Sequence, residues 1–466
     1  MLSKELDSSL KIRFNKEMKW DVIVIGGGPA GMMAAGRAAE LGRPCLPAGR
    51  SVLLLEKNPG LGKKLLITGG GRCNVTNNKP EIRSMLSKYK GNDQFLFSAF
   101  SQFGVKEALK FFNERGMATK EENEGRIFPV SNKAQSVWDV LVKYLKQGGV
   151  EVRMGIEVTG LSVDPDTKNI IIKTKDKREI IAKSCVLATG GTSRPETGST
   201  GEGFKWLKKL GHTIVENDFA LVPIALSDSW AKKLGGVTLK DIKLTIFSAW
   251  GACLSGRQGS SSMAAFGAAN GGQAGGQNRQ KQVSVNGNLL FTHFGISGPT
   301  VLNMSKEIGE LLKYGDVVIE IDLFPKTDLG ALRKKLQELL IGESNKKLKN
   351  VLNKLIPAAL VSALLEIAEI SGETANHSVS AESRKKLAAL LKAVPLNVSG
   401  LLGANKAIVS SGGVALEEVN FKTMQSRLIP GLYLVGDVLN VDRPSGGYSL
   451  QLCWTTGFVA GDSVFN

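Results

Sequence analysis

The stretch DVIVIGGGPAG, residues 21–31, decides the reading of this chain. Four apolar β-formers, Val22, Ile23, Val24 and Ile25, run directly into Gly26, Gly28 and Gly31. This is the G-x-G-x-x-G pattern in the context that gives it meaning, after a buried strand and opening a helix. Each glycine has its own job. Gly26 allows a tight turn, Gly28 lets the backbone approach a pyrophosphate, and Gly31 lets helix pack closely on strand. Pro29 and Ala30, inside the same turn, are counted with the glycines as expected ligand contacts. The helix start then offers unpaired N–H groups and a partial positive charge to phosphates.

Outward from that turn, residues 32–41 are compatible with a helix and 52–55 with a second strand, which ends at Glu56. An acid at that strand end accepts hydrogen bonds from ribose hydroxyls and repels a 2′-phosphate. Gly31 and Glu56 are 25 residues apart, against a usual spacing of ~20. The excess falls in the Pro- and Gly-bearing segment 44–50, which reads as a loop insertion. A glycine-rich turn with no ligand is the competing reading. Strand, turn, helix and acid in sequence favour a dinucleotide.

The chain has 466 residues, enough for two or three domains, and its 42% hydrophobic content suits a real core. No apolar run reaches the ~18 residues that span a bilayer. Residues 1–20 mix acids with bases and lack an apolar centre, so no secretory signal is expected there. They read as an extension preceding the fold, with Met18 a candidate start. The five cysteines (Cys45, Cys73, Cys185, Cys253, Cys453) are scattered and form no C-x-x-C pair, which disfavours disulfides or zinc and fits a cytoplasmic protein. Only three histidines are present, so no metal is expected. The net charge of +17 can attract anions or nucleic acid. Much of the excess lies in expected surface helices (331–349 and 383–392), so a solvated face is favoured over a nucleic-acid partner. The oligomeric state is not legible.

The expected fold class is α/β. A discontinuous Rossmann-like domain occupies 21–212 and 413–466, a β-barrel or sandwich 213–328, a helical domain 329–394, and a return strand of the barrel 395–412. Helices are expected over 95–115 and 137–146, and strands over 150–163, 170–174 and 184–188. In the inserted part, strands are expected over 243–247, 288–292 and 316–321. Leucine spacing over 329–394 predicts three amphipathic helices, with Pro357 in a first turn. Residues 251–282 are a Gly/Ser/Ala/Gln stretch without acids, read as a disordered hairpin insertion.

Three further segments carry chemistry. In LLITGGGRCNVTN (65–77), consecutive glycines including Gly70 and Gly71 let backbone press against a flat or anionic ligand. Arg72 is suited to a phosphate or a carboxylate. Cys73, without a second thiol nearby, reads as packing or ligand contact rather than a redox centre. In VLATGG (186–191), an apolar strand ends at Thr189 and Gly190, the kind of junction at which a flavin-binding sheet returns to its cofactor. In GLYLVGDVLNVDRPSGGYSLQ (431–451), Gly436 and Asp437 follow a short buried strand, and Asp437 is placed to bind ribityl hydroxyls. Gly446, Gly447 and Tyr448 open a helix whose N–H groups can stabilise negative charge on a reduced flavin. His293, in FTHFGISGP, is a candidate acid–base group, with a loop-bonding histidine the favoured alternative.

Together with GRIFPVSNKAQSV (125–137) and GGTSRPETGSTGEGF (190–204), these segments resemble the BaiN/YhiN-like NAD(P)/FAD-dependent oxidoreductases, the flavoprotein family that includes aminoacetone oxidase. The resemblance runs from residue 21 onward, outside the two insertions. It implies one FAD and an FAD domain interrupted by a β-barrel and a small helical domain. By match, Gly26, Gly28 and Gly31 take the pyrophosphate and Glu56 the adenosine ribose, with Lys57 and Lys64 close by. Val158 lies near the adenine and Asp437 at the ribityl chain. Arg72, Cys73 and Asn74 sit near the flavin, as do Gly447 and Tyr448. The family commonly has Glu where Asp437 stands, Asn where Ser449 stands and proline where Phe219 stands.

The leading expectation is an FAD-dependent oxidoreductase that moves a hydride between flavin N5 and a small organic substrate. The sequence holds no second strand–G-x-G-x-x-G–helix unit, so NAD(P)H is expected only as a transient visitor. Two alternatives stand beside it, an FAD-dependent tRNA-modifying enzyme and a non-catalytic flavin-binding sensor.

Overall fold

A computed structural model describes residues 16–42, 50–89, 91–216, 221–249, 279–403 and 412–465. The chain divides into two compact units, residues 1–219 with 408–466, and residues 220–407.

The first unit is built on a nine-stranded sheet. Its parallel core runs Leu432–Leu434, Glu179–Leu187, Lys16–Ile25, Val52–Glu56, Glu151–Met154. Val22, Ile23 and Val24 are fully buried, because both faces of a parallel sheet are covered. The helix Pro29–Gly42 crosses back over the sheet and packs against Tyr448–Ser463. Glycine permits that close approach. A Cβ at Gly457 would lie 2.4 Å from the Ala30 carbonyl oxygen, and one at Gly461 would lie 2.5 Å from that of Ala34. Arg37 then donates to Asp462 across the pair at 2.9 Å (Nε) and 2.6 Å (Nη2).

Several boundaries differ from the expectation. The first strand begins at Lys16, so residues 16–20 pair with Glu179–Leu187 instead of forming an extension. The helix expected over 95–115 is two, Asp93–Gln102 and Val105–Glu114. The break falls at Gly104, whose N–H turns to the Glu107 side chain at 2.9 Å. The strand expected over 150–163 is also two. Glu151–Met154 joins the parallel core, the chain turns at Gly155 (φ 73°), and Val158–Val163 starts a hairpin with Ile170–Thr174. Ile214–Glu216 pairs with Gly412–Val414 within the first unit and takes no part in the barrel.

The second unit is a closed six-stranded antiparallel barrel with helices packed on it. Its order is Ile224–Leu226, Gly295–Ser297, Arg279–Thr292, Thr238–Ala249, Val317–Asp322, Val394–Leu401. Closure leaves no sheet edge exposed. The strand Arg279–Thr292 takes in 279–282 of the stretch expected to be disordered, and 251–278 lies outside the described residues. The stretch 329–394 forms four helices where three are expected: Leu329–Gly342, Leu348–Leu352, Ala358–Ala368 and Ala381–Lys392. Pro357 is the residue before the third, not part of its first turn. Leu336, Leu364 and Leu387 share one core with barrel residues Ile319 and Leu396.

Candidate functional site

In the first unit, the carboxyl ends of Lys16–Ile25, Val52–Glu56, Glu179–Leu187 and Leu432–Leu434 open onto one cleft. This is the crevice where open α/β sheets bind ligands. Twelve expected positions line it: Gly26, Gly28, Pro29, Ala30, Glu56, Lys57, Lys64, Val158, Thr189, Gly190, Gly436 and Asp437.

The three motif glycines separate by what surrounds them. Gly26 has φ +106°, and a Cβ there would lie 2.4 Å from the Ala188 carbonyl oxygen. A Cβ at Gly31 would lie 1.9 Å from the Gly26 carbonyl oxygen, so Gly31 serves packing and is not part of the cleft wall. At Gly28 a Cβ would meet no protein atom within 4 Å. Nothing in the fold demands glycine there, but the cleft in front of it does if a pyrophosphate is to approach the backbone.

Glu56 is only 8% exposed. Its Oε2 accepts from Gly27 N–H at 2.7 Å, and its Oε1 accepts from Asn58 N–H and Nδ2 at 2.8 and 2.7 Å. Three of about four acceptor sites on the carboxylate are filled, leaving room for one ribose hydroxyl. Lys64 donates to Ser193 Oγ at 3.3 Å, and burial lowers the pKa of its ammonium. An anion in the cleft would offset that desolvation. Thr189 Oγ1 is buried and has no hydrogen-bond partner among the described residues. These features fit a dinucleotide. Lys57 differs from the expectation, because its charge is spent on Glu202 at 2.8 Å and on Thr200 Oγ1 at 2.9 Å. It fastens the loop that borders the cleft.

The GGGRCN loop and the last helix make a second cluster, outside the walls just described. Gly69, Gly70 and Gly71 all have positive φ (57°, 67° and 84°), and so does Cys73 (59°). Once its side-chain amide is turned to put nitrogen toward the acceptors, Asn74 donates to the carbonyls of Thr76 (2.9 Å) and Ile127 (3.1 Å) and accepts from Gly447 N–H (3.1 Å). Asn77 Nδ2 donates to the Gly446 carbonyl at 3.2 Å, and Tyr89 Oη to that of Tyr448 at 2.9 Å. The N–H groups of Tyr448, Ser449 and Leu450 have no acceptor within the helix. Arg72 is not available to an anion as expected: it pairs with Glu122, donates to Asn132 Oδ1 at 2.6 Å and lies over the Phe128 ring at 4.2 Å.

Cys73, Cys185 and Cys453 are buried, and burial pushes each thiol up to about 12 from an ordinary 9.0. The unfolded chain ionises them first. Each therefore contributes stability that is complete below its unfolded pKa and is lost as pH rises toward 12, by about 1.4 kcal/mol per pH unit per thiol. Urea midpoints should fall between pH ~9 and ~11, and native thiols should alkylate far more slowly than in the urea-unfolded chain. Equal alkylation rates in both states would contradict this.

His293 belongs to the second unit. It is exposed, stands edge-on to Phe294 at 4.9 Å, and has no hydrogen-bond partner among the described residues. Sequence reasoning assigned no role to Arg443, which is buried within the cluster and pairs with Asp437. The signal was present, since a charged residue in an apolar and glycine-rich stretch is buried only when paired. Among the described residues, no group of three or more His, Cys, Asp or Glu could hold a metal, and no helix is long and apolar enough to cross a membrane.

The family model for the HI0933-like protein Rossmann domain matches residues 20–463. The chain is 30% identical over 440 residues to a 3-dehydro-bile acid delta(4,6)-reductase of Clostridium scindens, covering 94% of this chain and 97% of that protein. It is 29% identical over 451 residues to a ribosomal RNA dihydrouridine synthase of Escherichia coli, covering 96% and 98%. Its fold is similar to that of a flavocytochrome c3 fumarate reductase, with TM-score 0.50 and 16% identity over 97% of this chain and 78% of that one. It is also similar to that of 3-ketosteroid delta1-dehydrogenase from Sterolibacterium denitrificans, with TM-score 0.50 and 13% identity over 96% and 99%. A Rossmann cleft of this build, inside a match that spans nearly the whole chain, means that the protein belongs to the HI0933-like family of FAD-dependent oxidoreductases.

Proposed function

We propose that the protein binds one FAD along the cleft of its first unit and moves a hydride between flavin N5 and a small organic substrate. The observation that carries this reading is Gly28, a glycine that no protein contact requires, in a cleft that also holds a half-buried lysine, Lys64. A bound flavin supplies hydride chemistry that no side chain can. The chain supplies the rest. Gly28 and the start of Pro29–Gly42 receive the pyrophosphate, and Lys64 neutralises it. Glu56 accepts from the adenosine ribose. Thr189 offers an unused hydroxyl and Asp437 a carboxylate toward the ribityl chain. The free N–H groups at the start of Tyr448–Ser463 favour negative charge where the pyrimidine edge would gain it.

The substrate class is taken from the name of one relative, a 3-dehydro-bile acid delta(4,6)-reductase, which saturates carbon–carbon double bonds conjugated to a carbonyl. We assign the same class here, an α,β-unsaturated carbonyl compound, with NAD(P)H as a transient donor. A second reading places that double bond in a uracil ring of RNA. The net charge of +17 favours it.

The test is anaerobic. Protein loaded with FAD is reduced by NAD(P)H and mixed with enones, free uridine or RNA, and recovery of the oxidised flavin band is followed. Reoxidation by enones is the expected result. Reoxidation by RNA alone, with binding that weakens steeply with salt, selects the second reading. A protein that stays colourless with added FAD overturns both.

A further inference from the structure

We propose that Arg443 is a positioning residue of the flavin site, one buried guanidinium that holds the cleft carboxylate of Asp437 and the first-turn hydroxyl of Tyr448–Ser463 in a single arrangement. This rests on reading the cleft as an FAD site and adds the residue that ties its two clusters together.

Arg443 is 4% exposed. Its Nη2 donates to Asp437 Oδ1, its Nη1 to the Val441 carbonyl at 2.7 Å, and its Nε to Ser449 Oγ at 3.1 Å. Asp437 lines the cleft, and Ser449 is the second residue of the helix whose N–H groups are free. A rigid planar fork meets three acceptors on three different backbone segments, which a flexible ammonium cannot do at once. The charges matter as much as the geometry. Asp437 lies close enough to Lys64 to act on it electrostatically, and so does Arg443 with the opposite sign. While the pair is intact, the carboxylate adds little net charge to the cleft. Without Arg443 the half-buried carboxylate loses its paired guanidinium, and the negative charge it adds beside a redox centre opposes the arrival of electrons.

The experiment compares FAD-loaded wild type with Arg443→Gln, Arg443→Lys and the double variant Asp437→Asn with Arg443→Gln. FAD affinity is read by fluorescence titration and the midpoint potential by spectroelectrochemistry. Arg443→Gln should weaken FAD binding roughly tenfold or more and move the potential to more negative values. Arg443→Lys restores the charge and so should recover most of the potential, while affinity stays weak because one ammonium cannot span three acceptors. The double variant removes both charges and should also recover the potential. A role in packing alone would leave the potential insensitive to charge, so failure of both recoveries overturns the proposal. If Arg443→Gln does not fold, the lysine and double variants decide. Wild type that takes up no FAD overturns the cofactor reading and this proposal with it. Wild type that binds FAD, with variants matching it in affinity and potential, overturns this proposal alone.

Discussion

Gly28→Ala is expected to leave the melting temperature of the apoprotein unchanged and to weaken FAD binding by tenfold or more. Gly31→Ala, three residues on, is expected to do the reverse, costing stability whether or not FAD is present. The two substitutions add the same methyl group to the same turn, and only the surroundings differ. At Gly28 the methyl projects where no protein atom lies within 4 Å, and the backbone there is not left-handed. It therefore strains nothing until a pyrophosphate tries to approach the chain. At Gly31 the methyl would sit 1.9 Å from the Gly26 carbonyl oxygen, so the helix must lift from the strand. Overpacking of this kind costs about 1–3 kcal/mol, enough to move a thermal midpoint by several degrees. Differential scanning fluorimetry without FAD and fluorescence titration with it separate the cases. An FAD affinity for Gly28→Ala equal to wild type would remove the main support for a pyrophosphate at this turn.

Gly447→Ala should destabilise the protein by about 2–5 kcal/mol, the sum of two separate penalties. Gly447 has φ +99°, outside the ordinary range of an L-residue, and occupying such a region costs about 1–2 kcal/mol. Its Cβ would also lie 2.4 Å from the carbonyl carbon and oxygen of Thr76, a backbone contact that cannot swing aside. Overpacking adds about 1–3 kcal/mol. To relieve it, the loop must retreat from the helix, which breaks the Asn74 bond to Gly447 N–H and strains the one from Asn77 to Gly446. The urea midpoint measures the loss. A stability change below about 1 kcal/mol would mean that the junction between the GGGRCN loop and the last helix is looser than the structure has it.

The parts of the fold legible in the sequence are those fixed by neighbours along the chain. The run Val22–Ile25 announces a strand buried on both faces, and the glycines after it announce a turn, because both signals are local. Partners across the fold leave no such mark. Arg72 reads as an anion ligand and Lys57 as a cofactor contact until the structure brings Glu122 and Glu202 to them, 50 and 145 residues away. The break at Gly104 was hidden because the apolar spacing carries on through it. Asp437 and Ser449, the two positions of the C-terminal motif that depart from the family pattern, are both held by Arg443, and only the structure makes one feature of them.

The glycine-lined contact between Pro29–Gly42 and Tyr448–Ser463 also bears on how the protein is made. Arg37 and Asp462, which meet across it, are 425 residues apart in sequence. During synthesis the first strand and helix emerge long before their partner, and the segment carrying the barrel is produced in between. The barrel unit has its own core and can fold while the nucleotide cleft still lacks a wall. Until the distant helix arrives, the face of Pro29–Gly42 that it covers stays open to solvent and to wrong partners. The last part of the cleft wall, Val435 to Asp437 with Cys453, is thus synthesised only after the whole barrel unit.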